Sequence, residues 1–156
     1  MFYTEAGKAM TDLAELNAID LLAQYRSGAA SPVEATAAAF ERISRYDEAL
    51  NTFCYLDEES AMAAARESDD RWQRGEPGGL LDGVPTTVKD TIMVKGWPYL
   101  LGSRVRDAND IPTEDPPAVD RLRAHNSIIL GKTNTPEFGW KGVTDSLRFG
   151  ITCNPW

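Results

Sequence analysis

The sequence predicts an α/β chain that is mainly helical through residue 80 and begins a sheet from residue 81. Three observations carry this. Ser31-Pro32-Val33-Glu34 is a full helix-start signal ahead of apolar residues at helical spacing. Glu76-Pro77-Gly78-Gly79 then breaks the helical pattern. Beyond the break, Val84, Thr86 and Val88 alternate with Pro85, Thr87 and Lys89, which is the period of a strand.

Each element can be justified in turn. Asn17 reads as an N-cap with Asp20 at the acidic third position, Leu21, Leu22 and Tyr25 follow, and Gly28 suits the stop. In the next helix Ser31 caps, Pro32 fits the first turn and Glu34 reaches back, while Val33, Ala37, Phe40 and Ile43 form one inward stripe. Asn51 to Leu56 is short and β-prone. A third helix runs from about Asp57 to Arg74 with Met62, Ala65, Asp69 and Trp72 on one face, Asp69 being the odd member. Pro85 stands near the start of the following strand, where a missing N–H is tolerated. The proline-marked stretch from Lys95 to Pro117 reads as loop. Asp115 then caps a helix that turns Val119 and Leu122 inward and fades near His125. Ser127 to Gly131 is an apolar strand, so strand, helix and strand suit a right-handed crossover. The chain shows no internal repeat.

With 156 residues, 42% hydrophobic and 26% charged, the chain has the size and composition of one soluble domain. The net charge of −8 argues against a nucleic-acid partner, which calls for a basic surface. Cys54 and Cys153 are far apart and read as reduced thiols. There is no secretory pattern at Met1 to Glu5, and no window approaches the ~20 apolar residues of a membrane span. A cytoplasmic address without a membrane partner is the expectation.

Candidate chemistry converges on Lys89. One reading is a solvated strand-end lysine, the usual fate of the residue; the other is a lysine able to accept a proton in a covered site. Gly131-Lys132-Thr133 imitates the end of a phosphate loop, but Asn126 stands where that motif needs glycine, so nucleotide binding is set aside. His125 reads as an exposed helix-terminal histidine. One histidine with scattered carboxylates predicts no metal site, and no cofactor motif is present. Glu67-Ser68-Asp69-Asp70 reads as a solvated face, and Phe138-Gly139-Trp140-Lys141 as core packing rather than pocket lining.

Three runs stand in order: Gly83-Val84-Pro85-Thr86-Thr87-Val88-Lys89-Asp90, Gly131-Lys132-Thr133-Asn134-Thr135-Pro136-Glu137-Phe138, and Gly150-Ile151-Thr152-Cys153-Asn154-Pro155-Trp156. Together they resemble the front of the amidase-signature hydrolases, and the run Phe138 to Ser146 is most similar to the stand-alone bacterial amidases. The likeness is strong from Leu81 to Trp156 and weaker from Ser31 to Leu56. It implies a mixed, helix-covered sheet of which residues 1–156 supply the N-terminal portion of a single domain, 1–80 mainly helical and 81–156 the start of the sheet. It also implies amide hydrolysis through an acyl-enzyme by a Ser–cis-Ser–Lys triad, with Lys89 at the position of the triad lysine. None of Ser27, Ser31, Ser44, Ser60, Ser68, Ser103, Ser127 and Ser146 stands in the Gly/Ser-rich stretch that carries the family's serines. Cys153, where relatives usually carry arginine, and Leu147-Arg148-Phe149 depart from the family pattern.

The expected function is therefore the N-terminal part of an amide hydrolase. It carries the lysine base and is inactive alone, because both serines would lie beyond Trp156. Two alternatives differ in class: a non-catalytic interaction module on a partial amidase fold, and the amide-transferring subunit of a tRNA-dependent amidotransferase. The Phe138 to Ser146 run argues against the second. The expected partners are a small-molecule amide in the complete enzyme, and self-association or a complementing chain. The strands Val84 to Val88 and Ser127 to Leu130 are expected to expose edges and apolar faces, and Lys89 is expected to face a cavity or interface from a strand end.

Overall fold

Caps set the helices of the front half, and a computed structural model describing residues 12–156 shows how. After a short 3-10 turn, Leu13–Glu15, helix α1 spans Ala18–Ser27, with the Asn17 side chain accepting from the Asp20 N–H and Gly28 closing the helix in the left-handed region. Helix α2, Pro32–Leu50, begins with a complete capping box between Ser31 and Glu34. Its inward stripe runs through Val33, Thr36, Phe40 and Ile43; Ala37, expected there, is exposed. Pro32 and Ala35 form a second buried face, with Ala35 set against Leu21 and Tyr25 of α1, so α2 is sandwiched and its burial is wider than one stripe.

Helix α3, Glu58–Gln73, is capped by Asp57 and buries Ala61, Ala65 and Ser68. The buried face is rotated by about one residue from the expected one. That rotation leaves Asp69 half-buried at the margin and takes Ser68 out of the supposed solvated run into the interior, where it donates to Asp82 at 2.7 Å.

Strands β1 (Phe53–Leu56), β2 (Pro85–Lys89) and β3 (Ile128–Thr133) form a mixed sheet in the order β1-β3-β2. The central β3 runs antiparallel to β1 and parallel to β2, and helix α4 (Pro117–Ala124) lies within the β2–β3 crossover. Asp115 does not cap α4. Its carboxylate is occupied by the Lys95 N–H and the Arg123 guanidinium, and Pro116 takes the cap position without a side-chain bond. His125 closes α4 half-buried rather than exposed, and its Nδ1 accepts from the Leu80 N–H.

Both faces of β3 are covered and Val88 is buried, contrary to the expectation for Val88 and Ile128 to Leu130. Thr87 and Lys89 stay exposed, and β2, at the edge of the sheet, is paired on one side only, as expected. Phe40, Ala61 and Ala65 pack on Ile128 and Leu130 from one side. Val94, Trp97 and Val119 pack on Val88 and Ile129 from the other. The loop after β2 thus does the work of a missing layer, and β3 has a partner along both edges. What is exposed and apolar concentrates instead near the end of the chain: Phe138, Trp140, Val143, Leu147, Ile151 and Trp156. The aromatic run at Phe138 is therefore surface, not core. A small hairpin, β4 (Asp145–Ser146) and β5 (Gly150–Ile151), lies here. It is fastened to the end of α2, where the Asn51 amide donates to the carbonyls of Phe149 and Ile151. Arg148, one of the departures from the family pattern, donates to the carbonyls of Ser103 and Arg106.

Candidate functional site: the end of β2

Strand alternation positions Lys89. Val88 and Asp90 on either side are buried, at 4% and 1% exposure, so the intervening Lys89 side chain emerges at the surface. Lys89 is the last residue of β2, opposite Thr133 of β3. The backbone there is held from both directions: the Asp90 N–H donates to the Thr133 carbonyl at 2.9 Å, and the Ile92 N–H to the Lys89 carbonyl at 2.9 Å. The strand-end position is the expected one. Two clefts among the described residues, about 580 and 300 Å³, lie along α2 with Arg42 and Tyr46, and neither is lined by Lys89.

A second lysine lies behind it. Lys132 is fully buried and its ammonium pairs with the Asp90 carboxylate at 2.5 Å. It also donates to the Pro98 carbonyl at 2.8 Å and lies 5.0 Å from the centre of the Tyr99 ring. Asp90 further accepts from the N–H groups of Leu100, at 3.4 Å, and Gly102, at 3.3 Å. Both charges are thus compensated, and neither is accessible to a substrate.

Simple alternation could not place Lys132 here. Ile128 and Leu130 face α2 and α3, and a regular strand would carry Lys132 to that same side. The pairing, however, steps from Thr86↔Ile129 to Val88↔Lys132, two residues on β2 against three on β3. That bulge turns Lys132 toward the face of Val88 and Ile129. Gly131 sits in it, and a Cβ there would meet the Tyr55 carbonyl oxygen at 2.2 Å. A glycine inside an apolar strand pattern is the one signal in the sequence for a bulge.

Two loops meet beside this pair. The Phe138 N–H donates to the Leu101 carbonyl at 2.8 Å, and the Ser103 hydroxyl to Glu137 at 2.6 Å. Leu101 (φ 52°) and Phe138 (φ 53°) both hold left-handed backbone, which non-glycine residues adopt at a cost. Between the loops Gly102, at φ 63°, would place a Cβ 2.4 Å from the Thr135 carbonyl oxygen. Close by in sequence, the Asn134 Oδ1 and Thr135 Oγ1 are buried without a hydrogen-bond partner.

The other candidates carry no chemistry here. Cys54 is a free thiol that donates to the Lys132 carbonyl. Burial, reinforced by the Asp90 charge, pushes it up to about 12, so it stays protonated and unreactive at neutral pH. Cys153 is free and exposed. Among the described residues, no group of three His, Cys, Asp or Glu side chains is placed to hold a metal, and no helix is long and apolar enough to cross a membrane. At this end of the sheet the Lys89 side chain is exposed, whereas Lys132 is buried in its ion pair.

Comparison with known proteins follows the same residues. The family model described as Amidase matches residues 34–156. A glutamyl-tRNA(Gln) amidotransferase subunit of Salinispora tropica is 43% identical over 147 residues, 94% of this chain and 30% of the relative. Its counterpart in Streptomyces coelicolor is 38% identical over the same share of this chain and 29% of its own length. Among solved structures, a bacterial aryl acylamidase of the amidase-signature enzymes superposes with a TM-score of 0.78 at 32% identity, covering 90% of this chain and 29% of that one. The native peptide amidase of Stenotrophomonas maltophilia gives 0.79 at 30% identity over 95% and 30%. The chain spans about 30% of the length of the curated relatives it matches. Likeness to amidotransferase subunits is thus as plain as likeness to amidases. On the match over residues 34–156 and the mixed, helix-covered sheet that matches the amidase structures, this chain belongs to the amidase family.

Proposed function

We propose that this chain supplies the base of an amide-cleaving site, with Lys89 as the ultimate proton acceptor of a Ser–cis-Ser–Lys mechanism. The observation that carries the reading is the accessible strand-end position of Lys89, within the segment matched to the family. In this scheme the nucleophilic serine gives its proton through the bridging serine to the amine, and its oxygen attacks the amide carbon. The C–N bond breaks as the leaving nitrogen takes the proton back, leaving a serine ester that a second nucleophile releases. An amine acts as a base only when neutral, and covering it with other chain favours that form. In this reading the serines and the oxyanion donors come from further sequence, since none of the eight serines here stands in a Gly/Ser-rich stretch.

The curated relatives favour one refinement. Their naming as amidotransferase subunits supports transfer of the released nitrogen to an acceptor presented with partner subunits, rather than its loss by hydrolysis. A polypeptide of these 156 residues is expected to turn over neither anilides nor aliphatic amides. Turnover abolished by Lys89→Ala would reveal a nucleophile within these residues and overturn the division of labour. In a polypeptide that also carries the serine segment, Lys89→Ala is expected to lower kcat/KM by about 100-fold or more.

A further inference from the structure

We propose that the Asp90–Lys132 ion pair is a positioning device for Lys89, fixing the end of β2 and the two flanking loops as one rigid unit from which the exposed amine projects. The proposal rests on the reading of Lys89 as a base, and it concerns residues that touch no substrate.

Register is the first ground. Val88↔Lys132 and Lys89↔Thr133 are consecutive pairs across β2 and β3. The ion pair therefore joins the residue after Lys89 to the residue before its cross-strand partner. The Lys89 backbone lies inside a short closed circuit: the Asp90 N–H bond to Thr133 on one side, the Asp90–Lys132 contact on the other.

Reach is the second. The remaining bonds of the pair go to the loop after β2, through the Pro98 carbonyl and the N–H groups of Leu100 and Gly102. That loop in turn holds the Phe138 N–H and packs Gly102 against Thr135. The left-handed backbone at Leu101 and Phe138 persists only where surroundings over-determine it, and this network is what does so.

Burial is the third. Lys132 and Asp90 are 0% and 1% exposed. Removing two charges from water this completely is costly, and well-packed apolar residues of similar volume usually stabilise a fold as well or better. Stability alone does not explain the pair. The bulge at Gly131, which turns Lys132 to this face, and the strained residues beside it are likewise poor choices for a simple core. They make sense if what is being secured is the geometry at the end of β2.

Backbone amide exchange by NMR on the 156-residue chain tests this, using Asp90→Asn, Lys132→Met and the double variant, which removes both charges with little change in volume. In the double variant the amides of residue 90 and of Ile92, Gly102 and Phe138 should exchange about tenfold or more faster, while those of Ala61, Ala65 and Ile128 keep their protection. The Lys89 side-chain methylenes should gain mobility in the same variant, a change that a purely space-filling role would not produce. A uniform rise across all these amides, no change at residues 90 and 92, or failure of the double variant to fold would each overturn the proposal, leaving the pair as structural support. None of these readouts depends on catalysis. Lys89 could therefore prove not to be the base while the clamp stands, or the clamp could fail while Lys89 remains the base.

Discussion

The two ends of β2 are each closed by a buried carboxylate, and the contrast between them separates anchoring from positioning. At the entry, Asp82 takes both arms of the Arg71 guanidinium at 2.9 and 2.7 Å, the Ser68 hydroxyl at 2.7 Å and the Gly78 N–H at 2.6 Å. The backbone beside it is gripped by Trp72 and Tyr25, which donate to the carbonyls of Asp82 and Gly83. Arg71 keeps 23% of its side chain exposed, so its charge is never fully removed from water. At the exit, Asp90 has a lysine for a partner, both groups are dry, and two of its hydrogen bonds are long. The entry is built for stability, tying α3 and α1 to the sheet. The exit tolerates an expensive pair next to the one exposed lysine of the strand.

The largest effect should come from breaking the exit pair. Lys132→Met leaves the Asp90 carboxylate buried without a cation and should cost about 3–5 kcal/mol in urea unfolding. Asp90→Asn combined with Lys132→Met should recover most of that loss. If the double variant stays as unstable as the single, the exit pair is an anchor like the entry pair and the contrast disappears.

A smaller loss, about 1–3 kcal/mol, should follow Asp82→Asn, which keeps the volume but weakens the bonds to Arg71 and Gly78. Burial pushes the Asp82 carboxyl up, but Arg71, the Gly78 N–H and Ser68 together outweigh it and hold the group below its ordinary value. A depressed folded value means the stabilisation is present above the ordinary carboxylate range and is lost as pH falls through the folded value. Thermal unfolding from neutral to strongly acidic pH should therefore show a steep acid limb in the parent chain and a flatter one in Asp82→Asn. Parallel limbs would show that Asp82 contributes no pH-linked stability.

These side chains also mark how far the sequence can be read. The capping box at Ser31, the stop at Gly28 and the Pro85 strand start are legible because each is settled within four residues. The same local logic makes Asp115 a cap, and it fails because Lys95, twenty residues earlier, and Arg123 capture the carboxylate. Ser68 and Lys132 escape it for a related reason: a one-residue rotation of α3 and a one-residue bulge in β3 reverse which side chains face inward, and both are decided by packing between distant segments. Lys89 is legible as a position through the family run, but its surroundings are not, because Asp90 and Lys132 become neighbours only when β2 and β3 pair. The apolar strip from Phe138 to Trp156 lies outside the core because hydrophobicity alone does not say which side of the fold receives a residue.

The smallest effect sharpens the comparison most. Lys89 is exposed at the strand end, and the fold has assigned its buried hydrogen bonds and packing to Val88 and Asp90 on either side. Lys89→Ala should therefore change unfolding free energy by no more than about 0.5 kcal/mol, as surface substitutions away from buried networks usually do. Its neighbour one residue on, Asp90, should be among the least replaceable positions in the chain. Such a step in tolerance between adjacent residues is what a scaffold presenting a reactive group would show: the presented group is dispensable for folding, and the group that aims it is not. Urea unfolding of Lys89→Ala beside Asp90→Asn measures the step directly. A loss above about 1 kcal/mol for Lys89→Ala would show that its methylenes pack as part of the structure, and the end of β2 would then be a second anchor rather than a place from which a base is offered.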